Sequence, residues 1–422
     1  MLLIKDIIIL ALYFVSLYFS VFWILFFVEK HEDIIKESKK SYKPKEFLKV
    51  TIAIPAYNEE KTIKKTLESV INLNYPKELV EIIVVNDGSK DRTEDEVKRF
   101  IKQNSKSNII YQKTKNQGKA AALNYALSIA TGEYFICLDA DSHVEKAALS
   151  QAVGFIQQDK KLVIVTPVMH VEKPTTILQK IQKVEYLLAM LIVKLMGYID
   201  SNFIAPGPFS LYRTQIIKDL GGFDEENLTE DQELAYRAQS NHLKIRQCPT
   251  AVVYTKVPST FKGLYRQRNR WFKGSLQNLF KYKKIILNKE YGDFGMFQMP
   301  VNISAFILAA ASIALLLYTT LNPIFLWFKK LYLLNFDISY FVKSFEFNFS
   351  LLNINILNWY IILSFLLLSG FMFYMANKIQ GKSIKEHSII VLVPYFFVYF
   401  ILLSFFAVIV MIESIFGVKQ KW

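Results

Sequence analysis

Phe135-Ile136-Cys137-Leu138-Asp139-Ala140-Asp141 is an apolar run that ends in two carboxylates one residue apart. The run predicts a buried strand, and a strand of this kind belongs in a mostly parallel sheet with helices on both faces. Side chains alternate along an extended chain, but a turn after Leu138 brings Asp139 and Asp141 to one cation. Hard divalent ions such as Mg²⁺ or Mn²⁺ take carboxylate oxygens and shared phosphate oxygens as ligands. An acidic turn without a ligand is the other reading of the same residues.

Outward from this stretch the hydrophobic period keeps switching. Short β-branched runs at Val50–Ile54, Glu81–Val85, Asn108–Tyr111 and Leu162–Thr166 predict further strands. Between them, Ile63, Leu67, Val70 and Ile71 recur at helical spacing, and Lys119–Ala130 is rich in Ala and Leu. Strand–helix alternation predicts an α/β domain whose ligands lie beyond the carboxyl ends of the strands. Polar clusters stand there. The first strand runs into Pro55-Ala56-Tyr57-Asn58-Glu59-Glu60 and the second into Asn86-Asp87-Gly88-Ser89. Each also reads as ordinary helix-capping or turn chemistry. An Asp at a strand end can instead accept hydrogen bonds from a nucleotide base.

Two later clusters complete the pattern. Thr229-Glu230-Asp231 has the form of a helix start. Gln267-Arg268-Asn269-Arg270-Trp271 places Gln267 and Arg270 on one helix face, with Trp271 a step round. A basic amphipathic helix at a bilayer surface has a similar composition. Asn116-Gln117-Gly118-Lys119-Ala120 lacks the first Gly and the final Ser/Thr of a phosphate loop, and no dinucleotide fingerprint is present. Five His and two Cys show no zinc spacing.

The ends of the chain belong to a bilayer. Ile7–Val28 carries no charge, and its 22 residues would rise about 33 Å, enough for the ~30 Å hydrocarbon core. Its length and lack of a small-residue cleavage site predict an uncleaved signal anchor rather than a cleaved signal peptide. Met299–Thr320, Ile356–Met375 and Ser388–Ile412 predict three more spans. The resulting partition is an anchor over residues 1–28, a basic linker over 29–47, the α/β domain over 48–286 and a membrane region over 287–422. Lys30, Lys36, Lys39, Lys40, Lys43, Lys45 and Lys49 follow the first span, whereas only Lys5 precedes it. The positive-inside rule then predicts a multi-pass protein of the cell membrane with a cytoplasmic central domain; four spans would leave both termini outside. The net charge of +14 is thereby largely membrane-flanking lysine, and no nucleic-acid partner is needed to explain it. Disorder is excluded by 52% hydrophobic residues including 34 Phe, and a disulfide scaffold by two cysteines.

Taken in order, PAYNE (Pro55–Glu59), NDGS (Asn86–Ser89), NQGKAAALN (Asn116–Asn124), DAD (Asp139–Asp141), TED (Thr229–Asp231) and QRNRW (Gln267–Trp271) resemble the processive family-two membrane glycosyltransferases, which include cellulose, chitin, hyaluronan and poly-N-acetylglucosamine synthases. The resemblance covers roughly residues 48–285, and QxxRW is its most specific element. It implies a GT-A-like sheet domain inserted between transmembrane helices. It also implies inverting, metal-dependent transfer from a UDP-sugar (UDP-GlcNAc or a related hexose) to a growing β-linked polysaccharide, with export through the bilayer. Under it, Asp87 and the segment containing Pro55, Tyr57 and Glu59 hold the uridine, with Lys119 near the nucleotide. Asp139 and Asp141 hold the diphosphate and its Mg²⁺ or Mn²⁺, Asp141 being the closer ligand. Asp231 is the general base, Gln267 and Arg270 contact the diphosphate, and Trp271 faces the acceptor sugar. Glu230 and Gly207-Pro208 lie on the acceptor side. The segment Gly207–Arg213 resembles the hyaluronan and chitin branch, and TED the poly-N-acetylglucosamine and cellulose branches, so the sugar stays open. An accessory membrane subunit also stays open as a partner. Two rival readings share the donor half of the site: a non-processive enzyme that moves one sugar to a lipid phosphate or lipid-linked acceptor, and a membrane sensor that binds a nucleotide sugar without turnover.

Overall fold

A computed structural model describes residues 4–336 and 356–418. Residues 337–355 and 419–422 of the expected membrane region lie outside the described residues. Eight strands form one sheet: β1 (Val50–Ala56), β2 (Val80–Asn86), β3 (Ile109–Lys113), β4 (Tyr134–Cys137), β5 (His143–Val144), β6 (Leu162–Val171), β7 (Ser210–Arg213) and β8 (Lys244–Thr255). Their order is β3-β2-β1-β4-β7-β6-β8-β5. The β3-β2-β1-β4 half is parallel, so the ends of β1, β2 and β4 meet on one edge. Strand β7 runs antiparallel to both β4 and β6, and the sheet is mixed. The runs read as strands in the sequence all lie in it; β5, β7 and β8 are additions. Four residues of β7 are too few to set a period, and Pro249 interrupts the apolar pattern of β8.

Alternation along the strands divides the core in two. Ile52, Ile54, Ile82 and Val84 face a layer containing α2 (Ile63–Ile71), α3 (Thr93–Gln103) and α5 (Ala148–Ile156). Ala53, Ile83, Val85, Phe135 and Cys137 face α4 (Lys119–Ile129), α7 (Thr214–Asp219) and α8 (Glu230–Ser240). Burial of both faces explains why the strands read as continuous apolar runs.

A third apolar cluster joins the sheet domain to the membrane segments. It combines α6 (Ile177–Tyr198) and α9 (Phe261–Lys281) with Trp23, Phe27 and Ile34 of α1 (Ile4–Lys39) and with Phe373, Tyr395 and Phe406 from the C-terminal helices. Helix α1 does not stop at Val28. It continues through much of the expected linker to Lys39, where Glu37 pairs with Lys194 at 3.1 Å and Arg246 at 3.3 Å. Among the described residues three helices are long and apolar enough to cross a membrane: Ile7–Lys39, Phe294–Leu333, which contains α10 (Met299–Leu333), and Ile389–Ile415. The expected span at Ile356–Met375 falls in a helix over Ile356–Ile379, of which Leu363–Ile379 counts as a shorter apolar helix.

Candidate active site

The polar groups expected at strand ends converge through one lysine. Lys119 opens α4, its Nζ 2.6 Å from Asp139 Oδ1 beyond β4 and 3.0 Å from Glu230 Oε1 at the start of α8. A single ammonium thus ties DAD to TED, 91 residues apart in the chain (230 − 139). Burial disfavours its charge, but Asp139 and Glu230 outweigh that effect and hold the ammonium well above the usual lysine range. Glu230 is buried as well, yet Lys119 and Arg270 hold it ionised, below the ordinary glutamate value.

Asp87 explains how Lys119 reaches this position. Its carboxylate accepts from the backbone N–H groups of Gln117 at 3.0 Å and Gly118 at 2.8 Å. These bonds fold the turn before α4, where Gly118 takes φ 98°, a conformation suited to glycine. The next residue is Lys119. In the structure, then, both oxygens of Asp87 shape the turn that delivers the lysine. Tyr57 is 42% exposed beside it, and Pro55 lies in β1 opposite Val85 of β2.

Carboxylates crowd the other side. Burial, then Asp139, then Glu59 push the Asp141 carboxyl up to about 7, against the Ser142 hydroxyl at 3.1 Å. Burial also raises Glu59, which the Thr62 hydroxyl contacts. Asp139 is engaged by Lys119, leaving Asp141 as the acid whose charge is least compensated. Excess negative charge of this kind suits a divalent cation that shares phosphate oxygens, and Asp141 and Asp139 are the side chains that could hold one. The described residues contain no group of three or more metal-ligating side chains, so a ligand must supply the rest of such a shell.

Asp231 stands next to Glu230. One of its oxygens accepts from the Gln232 N–H at 2.8 Å. Burial and the Glu230 charge push its carboxyl up to about 6, with Lys119 and Arg270 pulling the other way. Gly207 seals the cluster: a Cβ there would press on Lys119 Nζ and lie 2.9 Å from both Asp139 oxygens. Pro208 follows it, partly exposed.

QRNRW lies on α9 and faces two ways. Arg270 acts on Glu230 and Asp231, whereas Gln267 holds a buried Oε1 with no partner among the described residues. Trp271 is covered by the Arg268 guanidinium, 4.2 Å from its ring centre. Arg268 itself bonds Glu185 of α6 at 2.7 Å, and Glu185 also accepts from Tyr399 at 2.8 Å. Glu413 accepts from Tyr265 at 3.1 Å and Asn269 at 2.9 Å. Sequence reasoning missed Arg268, Glu185, Tyr399 and Glu413. Only the position of Arg268, turned about 100° from Gln267 on the helix, hinted at a second set of contacts.

A mixed sheet with helices on both faces and acidic strand ends define a GT-A-like domain. Comparison with known proteins agrees. Residues 51–221 match the family model for Glycosyl transferase family 2. The chain is 31% identical over 278 residues to the poly-beta-1,6-N-acetyl-D-glucosamine synthase of Staphylococcus aureus (strain COL), covering 64% of this chain and 66% of that protein. It is 35% identical over 243 residues to the probable glycosyltransferase YdaM of Bacillus subtilis (strain 168), covering 56% and 58%. The match thus spans less than two thirds of either relative. Among solved structures, the mannosyltransferase PcManGT from Pyrobaculum calidifontis, in complex with GDP-Man and Mn²⁺, has a TM-score of 0.62 at 16% identity, covering 97% of this chain and all of that one; it shares the fold. Residues 51–221 thus form a glycosyl transferase family 2 domain.

Proposed function

We propose that the protein transfers a sugar, N-acetylglucosamine by preference, from a UDP-sugar to the end of a growing β-linked polysaccharide, with inversion at the anomeric carbon. The observation that carries this reading is the single cluster of Asp139, Lys119, Glu230, Asp231 and Arg270, which joins a donor-side strand end to a buried base. The 31% identity to a poly-N-acetylglucosamine synthase supports the choice of sugar and product.

The chemistry needs three things of these residues. Asp231 takes the proton of the acceptor hydroxyl as its oxygen forms the bond to the anomeric carbon; a carboxyl raised to about 6 is ionised at neutral pH yet basic enough for that transfer. The bond to the UDP oxygen breaks on the opposite face, so an α-linked donor gives a β-linked product. Arg270 and Lys119 would offset the charge that gathers on the departing diphosphate. A Mg²⁺ or Mn²⁺ on Asp141 and Asp139 would add further neutralisation of the leaving group. Asp87, Tyr57 and Glu59 would flank the uridine, Gln267 the donor, and Trp271 with the Gly207–Pro208 turn the acceptor. The lysine distribution supports a cytoplasmic sheet domain and export of the polymer away from it.

One observation favours a second reading, transfer of a single sugar to a lipid-linked acceptor. An apolar cavity of about 330 Å³ lies beside Gln232, the neighbour of Asp231, and is lined by Phe272, Phe306, Phe400 and Leu403. Incubation of the purified protein with UDP-GlcNAc, UDP-glucose and UDP-glucuronate separates the two. UDP release from UDP-GlcNAc with a high-molecular-weight product is expected; a product one sugar longer than a lipid would establish the second reading, and no UDP release from any donor would overturn both.

A further inference from the structure

The helix Ile389–Ile415 has the length and apolarity of a membrane span: its 27 residues would rise about 40 Å against a hydrocarbon core of ~30 Å. A span places its ends on opposite sides of the bilayer. Here both ends are tied to the sheet domain.

The ties run through α6 and α9, each of which is fixed to that domain at both of its own ends. On α6, Gln179 and Gln182 donate to the backbone carbonyls of Val257 (3.0 Å) and Pro258 (2.8 Å) just beyond β8, while towards the other end Gln247 of β8 donates to Met190 Sδ at 3.4 Å and Lys194 shares Glu37 of α1 with Arg246 of β8. On α9, Thr260 caps the start, and Lys281 pairs with Asp224 and Glu233 at the finish, both at 2.7 Å. The last helix follows these two. Just before it, Glu386 pairs with Lys183 of α6 at 3.4 Å. In its middle Tyr399 bonds Glu185 of α6. At its end Glu413 is held by Tyr265, Asn269 and Lys273 of α9, and the Val418 carbonyl accepts from Lys273 at 2.6 Å.

The side-chain distribution agrees. Val391, Tyr395, Tyr399, Phe406 and Val410 are buried against the protein, whereas Ile390, Phe397, Ile401, Phe405 and Ile412 are exposed. A helix in a membrane surface needs a polar side for water; here protein covers that side and the apolar side is left for lipid. Helix α10 behaves differently: its start is anchored by Asn302 to Tyr236 at 2.8 Å, while Leu316–Phe328 is mostly exposed apolar surface.

We infer that the last helix does not cross the bilayer but lies along the leaflet next to the sheet domain, its exposed apolar side among acyl chains. It straps α9 to α6 and leaves Val418 on the same side as the sheet. This replaces the expectation that the chain's C-terminal end lies on the far side. It does not depend on which sugar is transferred.

Single cysteines test it, since Cys137 and Cys248 are buried. Lys160→Cys marks the sheet domain, Lys385→Cys the start of the helix and Val418→Cys its end; all three side chains are exposed. In sealed inverted and right-side-out vesicles, a membrane-impermeant maleimide should label all three from one side. Labelling of Val418→Cys only from the side opposite Lys160→Cys overturns the inference. Should Val418→Cys resist the reagent, protease digestion of an epitope fused after Trp422 decides: cleavage from the Lys160 side supports the in-plane helix, and cleavage only from the other side refutes it.

Discussion

Asp231 and Glu230 are adjacent acids with opposite treatment. Lys119 and Arg270 keep Glu230 ionised below its ordinary value, and the Glu230 charge then adds to burial in raising Asp231 to about 6. As the proposed base, Asp231 would be active only when deprotonated, so kcat/KM should fall about tenfold per pH unit below that value. Glu230→Gln removes a neighbouring negative charge and lowers the Asp231 pKa, so the acid limb of the pH–rate profile should move to lower pH; a limb that stays in place would assign it to another group. Gly207 offers a steric test. Gly207→Ala forces a methyl group onto the Lys119–Asp139 pair and should cost about 1–3 kcal/mol in denaturant unfolding, with loss of donor binding. The sequence showed Lys119, Asp139 and Glu230 as separate site residues. It could not show that they form one ion-paired unit, because spacing along a chain says nothing of which strand ends the sheet brings together.

At the scale of elements, α9 links the Glu230–Asp231 pair to the C-terminal apolar helices. Its Gln267 and Arg270 were legible from motif spacing, but Glu185 and Glu413 were not: a single acid in an apolar or amphipathic helix does not reveal a partner 83 or 144 residues away. Arg268 and Glu185 form a largely buried pair, and removal of one member leaves the other uncompensated. Arg268→Leu should cost about 3 kcal/mol of stability in thermal or denaturant unfolding. Combining it with Glu185→Leu should recover most of that loss; additive losses would show that the pair is not the unit of stability. Of the sheet, the parallel half was readable because burial on both faces leaves uninterrupted β-branched runs. Strands β7 and β8 were not, since one is four residues long and the other mixes Arg246, Gln247 and Pro249 into its pattern.

For the whole molecule, the proposed function makes the apolar helices, the sheet and the carboxylate cluster one device in which a charged donor would be handled beside a bilayer. The crowding of Asp139, Asp141 and Glu59 predicts a cation-dependent protein. With UDP present, Mn²⁺ should raise the unfolding temperature of the wild type, because a ligand that binds only the folded state stabilises it by mass action. Asp141→Ala should lose that rise, and chelator should abolish transfer; full activity in chelator would remove the metal from the scheme. In the proposed reaction a base and a donor site share one cleft, and one substitution separates them. Asp231→Asn, assayed for UDP binding by calorimetry and for UDP release from UDP-GlcNAc, should keep donor affinity within a few-fold while turnover falls about 10²–10⁴-fold. Turnover near the wild-type rate, or loss of donor binding in step with activity, would contradict it.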